Sequence, residues 1–269
     1  MPQKKEPERY KSGRKKRRRS SYLLLYIFIG IVAAIVLTVL SLTVFFPIKT
    51  VTVEGKTQYK AEEIIDSARV PIGSNLFTAD LSHVEDNITA ELPYIASVEI
   101  KRSFPTKIVL KVTADKPYVQ FEAGENYYLS DIDGKCLNII AKPQKDVPIV
   151  RGCKLKDCKA GKSILQASGI SDDFARITNI IDSGKQKNMA FTVVNVSDKQ
   201  SMWATYNDKI VMLFGSENNM DEKLNYAVYV LEQRADNSET GTLNLSRIPN
   251  SKNQVSFIPS ELTKEQKSK

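Results

Sequence analysis

Few residues in this 269-residue chain have types and spacings that could do chemistry: one histidine, His83, three cysteines, and the aspartates Asp131 and Asp133. His83 falls two residues past Leu81 on a predicted helix, off its apolar stripe, and reads as a surface residue. With no other histidine, no Ser-His-Asp or Cys-His relay can be assembled around it. Asp131 and Asp133 have the types needed for paired-carboxylate glycosidic chemistry. They sit, however, in Asp131-Ile132-Asp133-Gly134, where a hairpin wants aspartate for local backbone hydrogen bonds. No GxSxG, HExxH, GxxxxGK or GxGxxG occurs. The chain therefore offers no catalytic residue, no cofactor motif and no metal set.

Cys136, Cys153 and Cys158 leave at least one thiol unpaired by their odd number. Cys153 and Cys158 flank the stretch KLKD and could close a small-loop disulfide; inert thiols are the other reading. Zinc is disfavoured, since two thiols alone rarely hold it and His83 is far off in sequence. The sequons at Asn87, Asn195 and Asn244 read as chance, two of them lying in predicted regular structure.

The elements that would position any site begin with a strongly divided N-terminus. Residues 1–19 hold ten Lys/Arg against Glu6 and Glu8, and no charged residue occurs from Ser20 to Ile48. The 25 residues Tyr22 to Phe46 would span about 37 Å as a helix, enough to cross a bilayer core of about 30 Å with some tilt. The run is too long for a cleaved signal and ends in the bulky Phe45-Phe46-Pro47. Basic residues beside a span resist translocation, which puts residues 1–21 in the cytoplasm and the remaining mass outside. Setting those ten basic and two acidic residues against totals of 39 and 31 leaves the rest formally neutral. The net charge of +8 thus belongs to the tail and gives no hint of nucleic acid.

Beyond the span, Val51 and Val53 alternate with polar residues as a strand. Ala61, Ile64, Ile65 and Ala68 take helical spacing, and so do Leu81, Val84, Ile88 and Leu92, with Asp80 as a plausible N-cap. Strands around 98–101 and 107–113 follow, giving β-α-α-β-β over 47–115. From 116 to 260 the pattern is β-rich with two helices, near 172–181 and 220–234. Strands are expected at Val119–Phe121, Tyr127–Leu129, Cys136–Ile139, Phe191–Val196, Met202–Tyr206, Ile210–Phe214, Thr242–Ile248 and Gln254–Ile258. Asp133-Gly134 favours a tight hairpin, because glycine takes positive φ without cost. The tail 261–269 is polar and is expected to lie free. The class is α+β, with an N-terminal transmembrane helix, a small α+β domain, then a larger β-rich one.

Read in order, FPIKTVTVEG, GSNLF, PYIASVEIKRSFPTKIVLKV, DKPYVQF, YYLSDIDGKCL and KIVMLFGSENNMDEKLNYAVYVLEQ resemble the bacterial cell-division family FtsQ, called DivIB in many Gram-positive bacteria. The resemblance covers roughly residues 20–260. Two places depart from the family pattern: Asp115-Lys116-Pro117-Tyr118 after the third strand, and the Cys153–Cys158 segment. The small unit would then be a POTRA domain and the rest a β domain. The resemblance implies a non-enzymatic scaffold, single-pass in the cell membrane (type II) and placed at the division septum. Its implied partners are FtsB/DivIC-like and FtsL-like bitopic proteins and other septal peptidoglycan synthesis proteins. The FtsB-like partner would add to a sheet edge made by Thr242, Leu243, Asn244, Leu245, Ser246, Arg247 and Ile248, with Phe257 on the neighbouring strand as an aromatic anchor. The alternative is a membrane-anchored cell-envelope hydrolase with an unrecognised site.

Overall fold

The computed structural model describes residues 20–233, 239–248 and 257–268. The basic segment 1–19 and positions 254–256 of the last expected strand lie outside them. Helix α1 (Ser20–Phe45) is 26 residues of almost purely apolar sequence. From Tyr22 to Ser41 none of it is buried by protein. A helix that apolar on every side fits a bilayer rather than water. Pro47, without an N–H to continue the ladder, follows its end. Together with residues 46–50 and the loops 71–79 and 103–107, α1 makes up one compact unit.

The rest of the described chain forms the second unit. Its first part has strands β1 (Thr50–Glu54), β2 (Ile95–Ser103) and β3 (Lys107–Ala114) in the order β1-β3-β2, with α2 (Ala61–Ala68) and α3 (Val84–Glu91) between β1 and β2. Helix α2 ends where Arg69 turns left-handed at φ 49°. Helix α3 begins four residues later than Asp80. The Asp80 carboxylate instead accepts the Ser82 N–H (3.0 Å) and hydroxyl (2.7 Å), which holds a turn before the helix. Ile64, Ala68, Val84, Ile88, Ile95, Val98, Ile108, Leu110 and Val112 are buried, as the two periodicities require.

Nine strands make the larger sheet among the described residues: β4 (Val119–Ala123), β5 (Asn126–Ser130), β6 (Cys136–Ile140), β7 (Ile149–Arg151), β8 (Phe191–Asn195), β9 (Met202–Tyr206), β10 (Ile210–Gly215), β11 (Gly241–Asn244) and β12 (Phe257–Pro259). Their order is β12-β11-β10-β9-β8-β7-β4-β5-β6. The 4–7, 7–8 and 10–11 pairs are parallel, so each needs a crossover. Helices α4 (Ile164–Ser168) and α5 (Ser171–Gln186) lie between β7 and β8, and α6 (Met220–Glu232) lies between β10 and β11. The one-turn α4, capped by Ser163, adds a third helix to the two expected. Phe174, Ile177, Ile180, Ile181, Met220, Leu224 and Ala227 from the helices share one core with Phe121, Val150, Val194, Met212, Phe214 and Leu243 from the strands and Leu245 just past β11.

The opposite face of the sheet is closed by hydrogen bonds. Buried Gln120 donates to the carbonyls of Gln144 (2.8 Å) and Val147 (2.7 Å). Residues 263–268, expected to lie free, are docked. Arg151, paired with Glu122, donates to the carbonyls of Lys264, Glu265 and Lys267, and the Thr205 hydroxyl donates to the Gln266 carbonyl at 2.8 Å. The polar composition read as a free tail because its partners, on β7 and β9, are more than fifty residues away.

Candidate functional site

Each residue singled out for chemistry has a structural occupation. His83 is exposed, at the residue preceding α3. Asp131 is 3% exposed, and its carboxylate accepts the N–H groups of Asp133 (3.0 Å) and Lys135 (2.7 Å) across the β5–β6 turn. Gly134 completes that turn at φ 79°, and a Cβ there would strike Leu165. Lys135 reaches back to the carbonyl of Ile95 (2.8 Å) and to Asp115 (2.7 Å), tying the hairpin to the three-stranded sheet. Among the described residues, no three His, Cys, Asp or Glu side chains converge as a metal site.

The three thiols are free. Cys158 faces Cys136 rather than Cys153, the pairing considered from the sequence. Burial pushes the Cys136 thiol up to about 12, with the neighbouring Cys158 adding, and pushes Cys153 to about 12 with a contribution from Asp173. Thiols so raised are poor nucleophiles at neutral pH.

Asp131 yields a prediction. Burial, the largest influence, raises its carboxyl above the ordinary 3.8; Asp115 adds to this, and the Lys135 and Asp133 bonds oppose it. A folded-state value above the unfolded one means the folded chain holds a proton that the unfolded chain has lost. This contribution to stability is therefore full below pH 3.8 and is lost as pH rises through the folded-state value. Asp131→Asn keeps an acceptor oxygen without the charge. It is expected to be at least as stable as the parent at neutral pH and to lose that slope. Asp131→Ala leaves two N–H groups without their acceptor and should cost about 1–3 kcal/mol. Chemical unfolding of the detergent-solubilised chain at several pH values measures both, and an alanine variant as stable as the parent would contradict the role.

Sequence reading proposes a partner edge at Thr242–Ile248; in the strand order this segment lies beside the outermost strand. Strand β11 is not an edge, because it pairs with β10 on one side and β12 on the other. The outermost strand is Phe257–Pro259, aligned with Gly241–Leu243. Of the eight residues named, Leu243, Leu245 and Ile248 are buried in the core. Asn244, Ser246 and Arg247 are exposed, and Thr242 and Phe257 are half-buried. The Asn244 side-chain Oδ1 accepts the Ser246 N–H (3.0 Å) and hydroxyl (2.7 Å), ending β11 in a turn. The Leu245 N–H donates to Leu213 at 2.8 Å.

What holds β12 in place is equally local. Gly241 leaves room for the ring of Phe257, which a Cβ would overlap. Ser260 donates its N–H to Thr240 (3.1 Å), its carbonyl accepts from the Thr240 hydroxyl (2.9 Å), and its own hydroxyl meets that of Thr242 at 3.1 Å. Ile258, 57% exposed, is the large apolar side chain that this strand presents to solvent. Sequence reading missed Ile258 and Ser260; Pro259 beside the isoleucine was the available signal, since proline favours edge strands. Upstream, Lys223 on α6 is 1% exposed and donates from Nζ to the carbonyls of Phe214 (2.8 Å) and Ser216 (2.7 Å), fixing the β10–α6 joint that leads to β11.

Residues 46–113 match the family model described as "POTRA domain, FtsQ-type". The chain is 30% identical over 211 residues to a protein of Clostridium tetani named cell division protein DivIB, covering 75% of this chain and 77% of the relative. It is 30% identical over 189 residues to the DivIB of Clostridium acetobutylicum, covering 70% and 74%. A third relative, the cell division protein FtsQ of Streptomyces coelicolor, is 29% identical over 126 residues, 47% of each chain.

Proposed function

Because the chain belongs to the FtsQ/DivIB family of bacterial cell-division proteins, we propose that it is a non-enzymatic scaffold of the divisome that binds FtsB/DivIC-like and FtsL-like bitopic proteins. On this reading the tail 1–21 is cytoplasmic, 22–46 is the span, and the POTRA domain (47–115) and β domain (116–260) face outward at the septum, near the proteins that build septal peptidoglycan. The basic cluster before α1 supports that orientation.

One observation carries the binding role. The larger sheet ends at β12, a short strand presenting exposed Ile258, so a partner segment can extend the sheet there. Backbone pairing gives affinity in such additions, and alternate side chains give specificity. The contact residues proposed are Ile258, with Thr242, Phe257 and Ser260 supporting the edge. Asn244, Ser246 and Arg247 lie in the turn beyond β11.

Co-purification from membranes of the source bacterium tests this. The parent chain should bring down a DivIC/FtsL-type pair. Ile258→Asp is expected to weaken binding by roughly 10- to 150-fold, since it puts a charge where an apolar contact of about 1.5–3 kcal/mol would form. Undiminished recovery with this variant, or normal septation after depletion of the protein, would end the proposal.

A further inference from the structure

The backbone directly after the span is tied to two loops. Leu76 donates to the Phe46 carbonyl (2.8 Å), Ile48 to Ser74 (2.8 Å), Gly73 to Ile48 (2.8 Å), and Lys49 to Thr106 (2.8 Å). Loops 71–79 and 103–107 are thereby held at the very end of α1. Their tips are apolar and open: Ile72 is 61% exposed, Phe77 45% and Phe104 60%. The Phe77 ring lies 5.2 Å from that of Phe46 and 5.1 Å from that of Phe104, closing a cluster of three. Residues 71–79 and 103–106 carry no charge; Asp80 follows the first, Arg102 and Lys107 flank the second, and Lys49 is tied to the second through its bond to Thr106.

Exposed patches of this kind mark a contact surface, and continuity with α1 says which. Phe46 is the last residue of the span, directly after helix α1, so rings in contact with it lie at the depth of the bilayer boundary. We propose that Phe46, Ile72, Phe77 and Phe104 form an interfacial anchor, in which the two loops insert into the headgroup–acyl boundary of the leaflet the span exits. Apolar rings and flanking lysines suit that layer, the rings against acyl chains and the ammonium groups against phosphate. The two loops lie between α2 and α3 and between β2 and β3. The inference rests on α1 spanning the membrane, not on the partner edge.

The full chain, one copy per nanodisc, tests it. In a Trp203→Phe background, Phe104→Trp and Phe77→Trp each carry the sole tryptophan, and Leu37→Trp serves as a control within the span. The discs contain phosphatidylcholine brominated either near the headgroup end of the acyl chains or near their terminal methyls. Both loop tryptophans should lose about half their emission to the shallow bromines and less to the deep ones, as interfacial insertion requires. Leu37→Trp should be quenched by deep bromines. Loop tryptophans that emit as in water and are not quenched overturn the anchor. So do blue-shifted but unquenched ones, which would indicate a protein cover. An unquenched control would instead overturn the span.

Discussion

Gly241→Val is expected to strip β12 from the sheet and abolish partner capture while the helical core stays folded. Gly241 aligns with Pro259, and a Cβ there would overlap the Phe257 ring and come within 2.6 Å of the Ile258 carbonyl oxygen. A ring can swing away, but the carbonyl belongs to the strand itself, so β12 must move. Lost with it are a few ladder hydrogen bonds, each worth about 1 kcal/mol net, and part of the Phe257 burial. Together these amount to about 2–4 kcal/mol, or roughly a 30- to 800-fold weakening of any partner that needs β12 in place. Amide exchange should show loss of protection at 257–259 with β8, β9 and β10 unchanged, and co-purified partners should disappear. A valine variant with β12 protected and partners retained would contradict both the packing and the edge.

Lys223→Ala is expected to be among the most destabilising single changes, costing about 3–5 kcal/mol. It removes buried methylenes, each worth about 0.8 kcal/mol. It also leaves the Phe214 and Ser216 carbonyls without their donor. Lys223→Met keeps the stem and loses only the donor, so about 1–3 kcal/mol is expected. The pH dependence separates charge from packing. Burial lowers the Lys223 value below 10.5, so the folded chain gives up this proton before the unfolded chain does. Stability from this group therefore rises as pH climbs through the folded-state value toward 10.5, and the methionine variant should lack that rise. Chemical unfolding of the solubilised chain measures all three. Because the β10–α6 joint leads into β11, partner capture should fall with the alanine variant in proportion to its stability. An alanine variant within about 1 kcal/mol of the parent would show that the joint holds without the ammonium group.

Much of the fold is legible without coordinates because its signals are local. The uncharged run after residue 19 specifies a bilayer helix whatever surrounds it. The spacing of Ile64 and Ala68, and of Leu224 and Ala227, specifies helices with one buried stripe. Alternation around Val51 and Ile108 specifies strands. The ordered motifs from Phe46 to Gln233 point to the family that the comparisons show. Asp131-Ile132-Asp133-Gly134 announces its own turn, since every bond in it joins near neighbours.

The candidate site was less legible, because an edge is a property of the sheet and not of a strand. Thr242–Ile248 has the alternation of a strand, yet whether β11 or β12 is outermost depends on which segment pairs beside it, across a gap in sequence that no local pattern encodes. The same reason hid the docking of residues 263–268 on Arg151 and Thr205, and the approach of Cys158 to Cys136. It also hid the gathering of Phe46, Phe77 and Phe104, three phenylalanines that in sequence are merely scattered. The sequence by itself determined the span, the periodicities and the family, all of which follow from side-chain chemistry at short range. Which strand is outermost, which leucines belong to the core and which rings meet at the end of α1 came from the tertiary structure alone, because those depend on long-range hydrogen-bonded pairing and on the burial it creates.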